Sequence, residues 1–364
     1  MAKDKKFFKS NIELLGRLNR RWLKKYLDLA NGIPSHDTFA RVMSLVDPLE
    51  FEKAFFEWAQ SWKKLNEGGM LMIDGKSVRG TSRHFHKMPL HLVNIFSQEN
   101  GLAMGQLKAI SPGYGETASA KQALDLLKIK NLLITVDAGL ANHGMADKII
   151  SNGGAYLFPI KRSQKYSWKK LDKIFNNIGE QESDFLQQDE KGHGRTECRK
   201  IQITHSQKLL DIFMIDKAGE ELWPEVKSIA KITRTRTRKN NGVYTQVKSE
   251  SGNLEYKSIE DEKFKTTEHT TYYICSQKLS AKRFMERVRS HWDIENKLHH
   301  PLDVCLKEDS MRVRERVIAE NMSLMRKVAL NCIKQDPDKK CSLRLKFKKA
   351  AWDPDYLESL IFGI

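Results

Sequence analysis

The chain has 364 residues, 40% hydrophobic and 9% aromatic, enough for a full core and two or three domains, which excludes a disordered polypeptide. Sixty-three lysines and arginines against 46 acids leave a formal net charge of +17, an excess that favours a polyanionic partner, nucleic acid before anionic membrane. No run approaches the roughly 18 apolar residues of a membrane span, and the lysine-rich start lacks the apolar centre of a signal peptide, so a soluble cytoplasmic protein with no membrane partner is expected.

Residues 11–29, NIELLGRLNRRWLKKYLDL, repeat Leu and Ile at helical spacing among arginines and lysines, which predicts an amphipathic basic helix. Ser35 fits the N-cap of a second helix closing near Pro48, and LEFEKAFFEWAQSWKKL predicts a third. Such a triplet suits a helix-turn-helix-like DNA reader or a plain packing unit. After Gly68 and Gly69 the period turns strand-like. MLMID runs into Asp74, and LHLVNIFSQENGLAMGQLKAI predicts two strands about a Glu-Asn-Gly turn. A helix at TASAKQALDLLKI precedes NLLITVDA, a second buried strand running into an aspartate, Asp137; the helix HGMADKIISNG and the strand AYLFPIK follow. This order predicts an α/β fold with helices against a central sheet.

From about Gln164 to His269 the chain is polar and charged. In KITRTRTRK, Arg234, Arg236 and Arg238 recur at period two and share one strand face, read as a phosphate-backbone contact in preference to a solvated edge strand. Helical patterning returns at SAKRFMERVRSHWDIENKLHH, where helical spacing puts His291, Trp292, Glu295, Leu298 and His299 on one side, with Trp292 expected in the core. Pro301 is expected to end or kink that helix, leaving Asp303, Glu308 and Asp309 beyond it. The five scattered cysteines never form CxxC and read as free packing thiols.

Asp74, Asp137 and Glu295 stand out by position. Ligand sites in open α/β sheets lie outside the carboxyl ends of strands, where the two aspartates meet if their strands are neighbours. With a helical glutamate they form a hard oxygen site for Mg²⁺ or Mn²⁺, and two such ions about 4 Å apart can drive in-line phosphoryl displacement. Each aspartate equally suits capping of the turn that follows it.

IDGKSVRG, ITVDA and HWDIENKLHHPLDVCLKED, with GIPSHDTF upstream, HGRTECR in the polar segment and WPEVKSIA after it, resemble the bacterial insertion-sequence transposases of the ISAs group, which include the H-repeat-associated proteins. The resemblance runs through nearly the whole chain in order. It implies a catalytic DDE triad of Asp74, Asp137 and Glu295 on an RNase H-like core with a mixed central sheet, interrupted by a β-rich insertion and preceded by an N-terminal helical module. The boundaries are 1–66 for the helical module, 67–163 for the first part of the core, 164–270 for the insertion, 271–340 for core completion and 341–364 for a tail. It further implies cleavage of DNA at element ends and strand transfer into target DNA, with two Mg²⁺ (or Mn²⁺) ions, double-stranded DNA as partner and a dimer on DNA. Compared with the family, the chain is expected to be shortened before NIELLGRLNRRW, Arg162 replaces a glycine, and Pro301 replaces a bulky apolar residue.

Around the triad, Lys76 and Arg79 are candidates to steer the scissile phosphate, and His291 and His299 to orient Glu295 or contact phosphate. His193, Arg195 and Arg199 are candidate DNA-backbone contacts. Glu116 is expected to favour a helix N-terminus. A nuclease that cuts without joining, and a DNA-binding remnant without activity, are the rival readings.

Overall fold

MLMIDGKSV is apolar for four residues and then mixed, and it forms β1 (Met70–Val78), the strand on which the first half of the molecule is built. The computed structural model describes residues 5–62, 65–82, 88–109, 115–179, 182–192, 195–216, 218–239, 244–248, 254–258 and 264–363. They fall into two units, Met1–Ala155 with Arg289–Ile364, and Tyr156–Val288.

In the first unit β2 (Leu90–Ser97) lies antiparallel to both β1 and β3 (Leu102–Ala109), joined to the latter through the expected turn. On its other side β1 runs parallel to β4 (Leu133–Val136), giving the mixed order β3-β2-β1-β4. Helices α5 (Glu116–Leu126) and α6 (His143–Ser151) follow β3 and β4. Among the described residues four helices precede the sheet, α1 (Lys5–Leu18), α2 (Arg20–Leu23), α3 (His36–Leu45) and α4 (Pro48–Trp62), with Ser35 accepting from the Thr38 amide as the N-cap of α3. Helix α4 rests on β3 where a Cβ on Gly105 would come within 2.1 Å of the Phe56 ring, so only glycine permits that approach.

The second unit is antiparallel throughout, in the order β5-β11-β8-β7-β6. Its strands are β5 (Ala155–Ile160), β6 (Asp184–Gly192), β7 (Arg195–Thr204), β8 (Ser228–Lys239) and β11 (Phe264–Cys275), with helix α7 (Lys165–Asn177) after β5, helix α8 (Gln207–Met214) after β7, and the expected hairpin of β9 (Tyr244–Lys248) and β10 (Leu254–Ser258) as a separate pair. Apolar residues fill one end, including Ile201, Ile203, Ile229, Tyr272 and Ile274; beyond Ile232 the alternating positions of β8 are Thr and Arg. β8 is paired on both sides and is not an edge strand.

Two expectations for the glutamate helix are corrected. Helix α9 (Ala281–Ser290) ends in a turn, with Trp292 N–H donating to Arg289 O, so His291 and Trp292 do not continue the face of Glu295. Trp292 is 64% exposed and not core; Ile294, Leu298 and Leu302, at helical spacing, fill the core with Met70, Met72, Phe96 and Leu324 instead. Nor does Pro301 stop the helix, which runs from Asp293 to Val304 with a π turn at Glu295–His299 and the α-helical segment α10 (His300–Val304). The π turn is what admits the proline. His300 N–H reaches back five residues to Glu295 O, and the Lys297 carbonyl, which residue 301 would serve in an α-helix, accepts instead from Lys334 Nζ at 2.7 Å. Asp303 consequently lies within the helix, not beyond it. Helix α11 (Arg316–Lys334) packs behind, and α12 (Leu343–Trp352) and α13 (Pro354–Phe362) complete the unit.

Candidate metal centre

The parallel pairing of β1 with β4 ends at Ile73 opposite Val136, so the next residue on each strand is an aspartate, Asp74 and Asp137. Side chains alternate along a strand, and Asp74 shares its face with Met72 and Lys76 and with Asn94, its cross-strand partner on β2. The glutamate helix covers that face. His299, only 3% exposed, holds Nδ1 2.9 Å from Glu295 Oε2 and 3.7 Å from Asp74 Oδ2, while its Nε2 lies 3.3 Å from Asn94 Nδ2. One ligand atom from each of Asp74, Glu295 and His299 falls within 4.8 Å of the others, spacing suited to one cation.

Asp137 adjoins this group. Its Oδ2 accepts from the Gly139 amide at 3.2 Å, and its charge acts on both Asp74 and His291. His291 is fixed from β4 by a 2.9 Å hydrogen bond between its Nδ1 and Thr135 Oγ1. Burial pushes the Asp74 carboxyl up to about 6, with the charges of Asp137 and Glu295 adding to the rise and His299 opposing it. Glu295 is 55% exposed, not enclosed by apolar neighbours, and its hydrogen bond with His299 holds its carboxyl below the usual range. Burial depresses the His291 imidazole. Converging acids of this kind fit a divalent metal, which relieves their mutual repulsion and offers the hard charge that oxygen ligands match.

Lys76 is only 8% exposed, and its amine faces three carboxylates: Asp303 at 2.7 Å, and Glu308 and Asp309 at 3.3 Å each. Burial works against its charge, but those acids outweigh it and raise the amine above its ordinary range. It thereby ties the strand of Asp74 to the helix of Glu295. Glu308 is fully buried and also meets Lys327, itself fully buried, at 3.7 Å. Arg79, by contrast, is 84% exposed, its guanidinium Nε 3.7 Å from Asp309 Oδ2 and its backbone N–H donating to the same residue. The adjacent Gly80 is required, because a Cβ there would lie 2.5 Å from Met311 O.

On the opposite face of β1, Ser77 Oγ lies 2.9 Å from His91 Nδ1, and His91 Nε2 meets Glu116. Glu116 therefore does more than attend a helix terminus. In the second unit Arg195, Arg199, Arg234, Arg236 and Arg238 share a sheet face, as the β7–β8 register pairs Arg195 with Arg238, Glu197 with Arg236 and Arg199 with Arg234. Glu197, 4% exposed, takes up Arg195 at 2.9 Å, Arg236 at 2.8 Å and Arg199. His193 lies outside the described residues.

Sequence reasoning passed over Asn94, Thr135 and Glu197, and it set Asp303, Glu308 and Asp309 beyond the helix without their pairing to Lys76. Asn94 alone carried a signal, as a polar residue inside the apolar run LHLVNIF.

A family model described as "Transposase DDE domain" matches residues 67–332, and another described as "DDE_Tnp_1-associated" matches residues 9–59. The protein YbfL of Escherichia coli (strain K12) is 33% identical over 358 residues, 97% of this chain and 87% of that protein. YhhI of the same strain, whose name marks it as H repeat-associated and assigns it provisionally as a transposase, is 32% identical over the same shares. Among solved structures, a cryo-EM synaptic complex of piggyBac transposase with hairpin DNA aligns over 98% of this chain and 70% of that chain, at 9% identity and a TM-score of 0.39, too slight a likeness to argue from.

Proposed function

This chain belongs to the insertion-sequence DDE transposases of the H-repeat-associated type, and from that membership we propose that it cleaves DNA at the ends of its element and joins the freed ends to target DNA. The observation that carries the reading is the Ile73–Val136 register, which brings Asp74 and Asp137 side by side on parallel strands while His299 draws Glu295 to Asp74. Asp74, Asp137 and Glu295 would hold two Mg²⁺ (or Mn²⁺) ions. When bound, such ions activate the attacking oxygen and stabilise the leaving oxygen of an in-line displacement.

The rest falls to side chains. Asp74, on which the charges of both Asp137 and Glu295 act, would be a ligand of this centre. His291, braced by Thr135, stands beside Asp137 and fixes that side of the centre. Arg79, held only by an exposed 3.7 Å pairing with Asp309, would exchange that carboxylate for a scissile phosphate. Lys76 clamps Asp74 and Glu295 in register through Asp303. Residues 164–270 form the insertion domain in this reading, and its Arg195, Arg234, Arg236 and Arg238, together with His193, meet the backbone of double-stranded DNA. Residues 1–66 form the helical module, and 67–163 with 271–340 the core. The protein acts as a dimer on DNA, in the cytoplasm; among the described residues no helix is long and apolar enough to cross a membrane.

The test compares wild type with Glu295→Gln on a duplex carrying the element end, with Mg²⁺ or Mn²⁺. Nicking should fall by on the order of 10³-fold in the variant while DNA binding stays within about twofold. Equal nicking by both proteins sinks the triad. Joining of precleaved ends separates a transposase from a nuclease that only cuts, and DNA binding with no nicking by wild type would mark an inactive remnant.

A further inference from the structure

The buried histidine beside the acids has a second nitrogen, and what that nitrogen meets decides what the first can do. His299 Nε2 faces the side-chain amide of Asn94, which is fully buried and is the cross-strand partner of Asp74. The far end of that amide, Oδ1, is buried without a hydrogen-bond partner among the described residues, so His299 alone sets the orientation of the group. With the amide nitrogen against the ring, Nε2 accepts and the ring proton sits on Nδ1, donating to Glu295. With the amide turned by half a rotation, Nε2–H donates to the Asn94 oxygen and Nδ1 presents a bare lone pair between Glu295 and Asp74. Metal-bound histidines hold their second N–H in this way.

We propose that His299 is a nitrogen ligand of the cation shared by Asp74 and Glu295, with Asn94 turning to hold the ring in its metal-binding tautomer. The inference rests on the triad reading above. Adjacent ligands of an octahedral ion with bonds of about 2.1 Å lie about 3 Å apart and opposite ones about 4.2 Å; Nδ1 stands 2.9 Å from Glu295 Oε2 and 3.7 Å from Asp74 Oδ2, inside that span. The ring is held by Asn94, Glu295 and its 3% exposure, so little motion is needed. An imidazole in the sphere favours a first-row transition ion over Mg²⁺, whose preference for oxygen is stronger. The Asp74–Glu295 position is therefore the one selective for Mn²⁺, whereas His291, with Nδ1 bound to Thr135, is not a ligand through that nitrogen.

The experiment uses the full chain with Mn²⁺ and no DNA, read by electron spin-echo modulation and by Mn²⁺ affinity in competition with Mg²⁺. Wild type should show ¹⁴N modulation. His299→Gln should lose it and lose on the order of tenfold in Mn²⁺ affinity, with Mg²⁺ affinity changing less, while His291→Gln keeps the signal. A wild-type spectrum without nitrogen overturns the proposal and needs no variant to fold; so does a signal that survives in His299→Gln. Asp74→Asn and Glu295→Gln test the underlying triad separately, since Mn²⁺ binding unchanged in both would remove that reading whatever the nitrogen signal shows.

Discussion

The two units each gather charge around a buried group, with opposite outcomes. Around Asp74 the neighbours are acids, Asp137 and Glu295, with His299 beside them, and burial together with those acids drives the Asp74 carboxyl up to about 6. Around Glu197 the neighbours are Arg195, Arg199 and Arg236; burial there raises the carboxyl too, but hydrogen bonds and charge from the arginines outweigh it and hold it below the usual range. In the first cluster the positive charge at hand, His299 and Lys76, leaves Asp74 raised, which is the room that the proposed cation would fill. The second is complete as folded. A charged side chain in a strand is thus the readier to take a ligand the less of its charge is compensated within the fold, and by that measure the acids rank above the arginines held by Glu197.

The largest way to break this contrast is to open the closed cluster. Glu197→Ala leaves Arg195 and Arg236 without their shared acceptor while Arg199 keeps Glu190, and with those side chains partly solvated it should cost about 2 kcal/mol. Hydrogen exchange at the amides of β7 and β8 would show it as faster local opening; a change below about 1 kcal/mol would mean the arginines are satisfied by solvent and the ring is not a unit. The pH sense follows from the depressed carboxyl: the stability Glu197 contributes is present above its unfolded value of 4.5 and is lost as pH falls through the folded one.

The open cluster should respond in the opposite sense. Asp74, raised to about 6 in the fold, lies above the ordinary aspartate value of 3.8, so between those pH values the folded chain binds more protons than the unfolded one. Metal-free wild type therefore loses stability as pH rises from about 4 to about 6. Asp74→Asn should remove that slope and stabilise the metal-free chain at pH 7 by roughly 1 to 2 kcal/mol, while abolishing the gain in stability that Mn²⁺ gives wild type. Thermal melts with and without Mn²⁺ measure both. Destabilisation by the substitution in the metal-free state would show that the acids are already compensated.

Much of the first cluster was legible because local pattern carries it. Two buried apolar runs ending in aspartate bring their acids together if the strands are neighbours, and the parallel register at Ile73 and Val136 meets that condition. The glutamate helix was legible as a helix but not in its course. A proline normally breaks the ladder, and what admits Pro301 is a π turn plus an amine from Lys334, thirty-three positions on, which no local pattern announces. The same applies to Lys76, whose carboxylates lie more than 220 residues away, so a lysine just past a strand-end aspartate reads as a phosphate contact until the fold closes over it. Trp292 was misplaced because helical spacing assumes an unbroken helix and the turn after Ser290 resets the face. The arginines of β8 were legible as a face, but their neutralising partner was one acid in a charged run on another strand.

That last point sets the smallest and most discriminating prediction, because it separates arginines on one face by how far each is already neutralised. Arg238 is exposed at the end of β8, opposite Arg195, while Arg236 is bound to Glu197 through both Nε and a terminal nitrogen at 2.8 Å. Each phosphate neutralised on DNA binding releases counterions, so removing one contact lowers the slope of log affinity against log salt by about 1. Arg238→Gln should show that loss with stability unchanged within about 0.5 kcal/mol. Arg236→Gln should do the reverse, costing about 1 kcal/mol of stability while moving the slope by less, since Glu197 already occupies its guanidinium. Filter binding across a salt series, paired with denaturation of each variant, decides it. If Arg236→Gln takes as much from the slope as Arg238→Gln and leaves stability intact, Glu197 has released its arginine to DNA, and the cluster described as closed is one that opens when phosphate arrives.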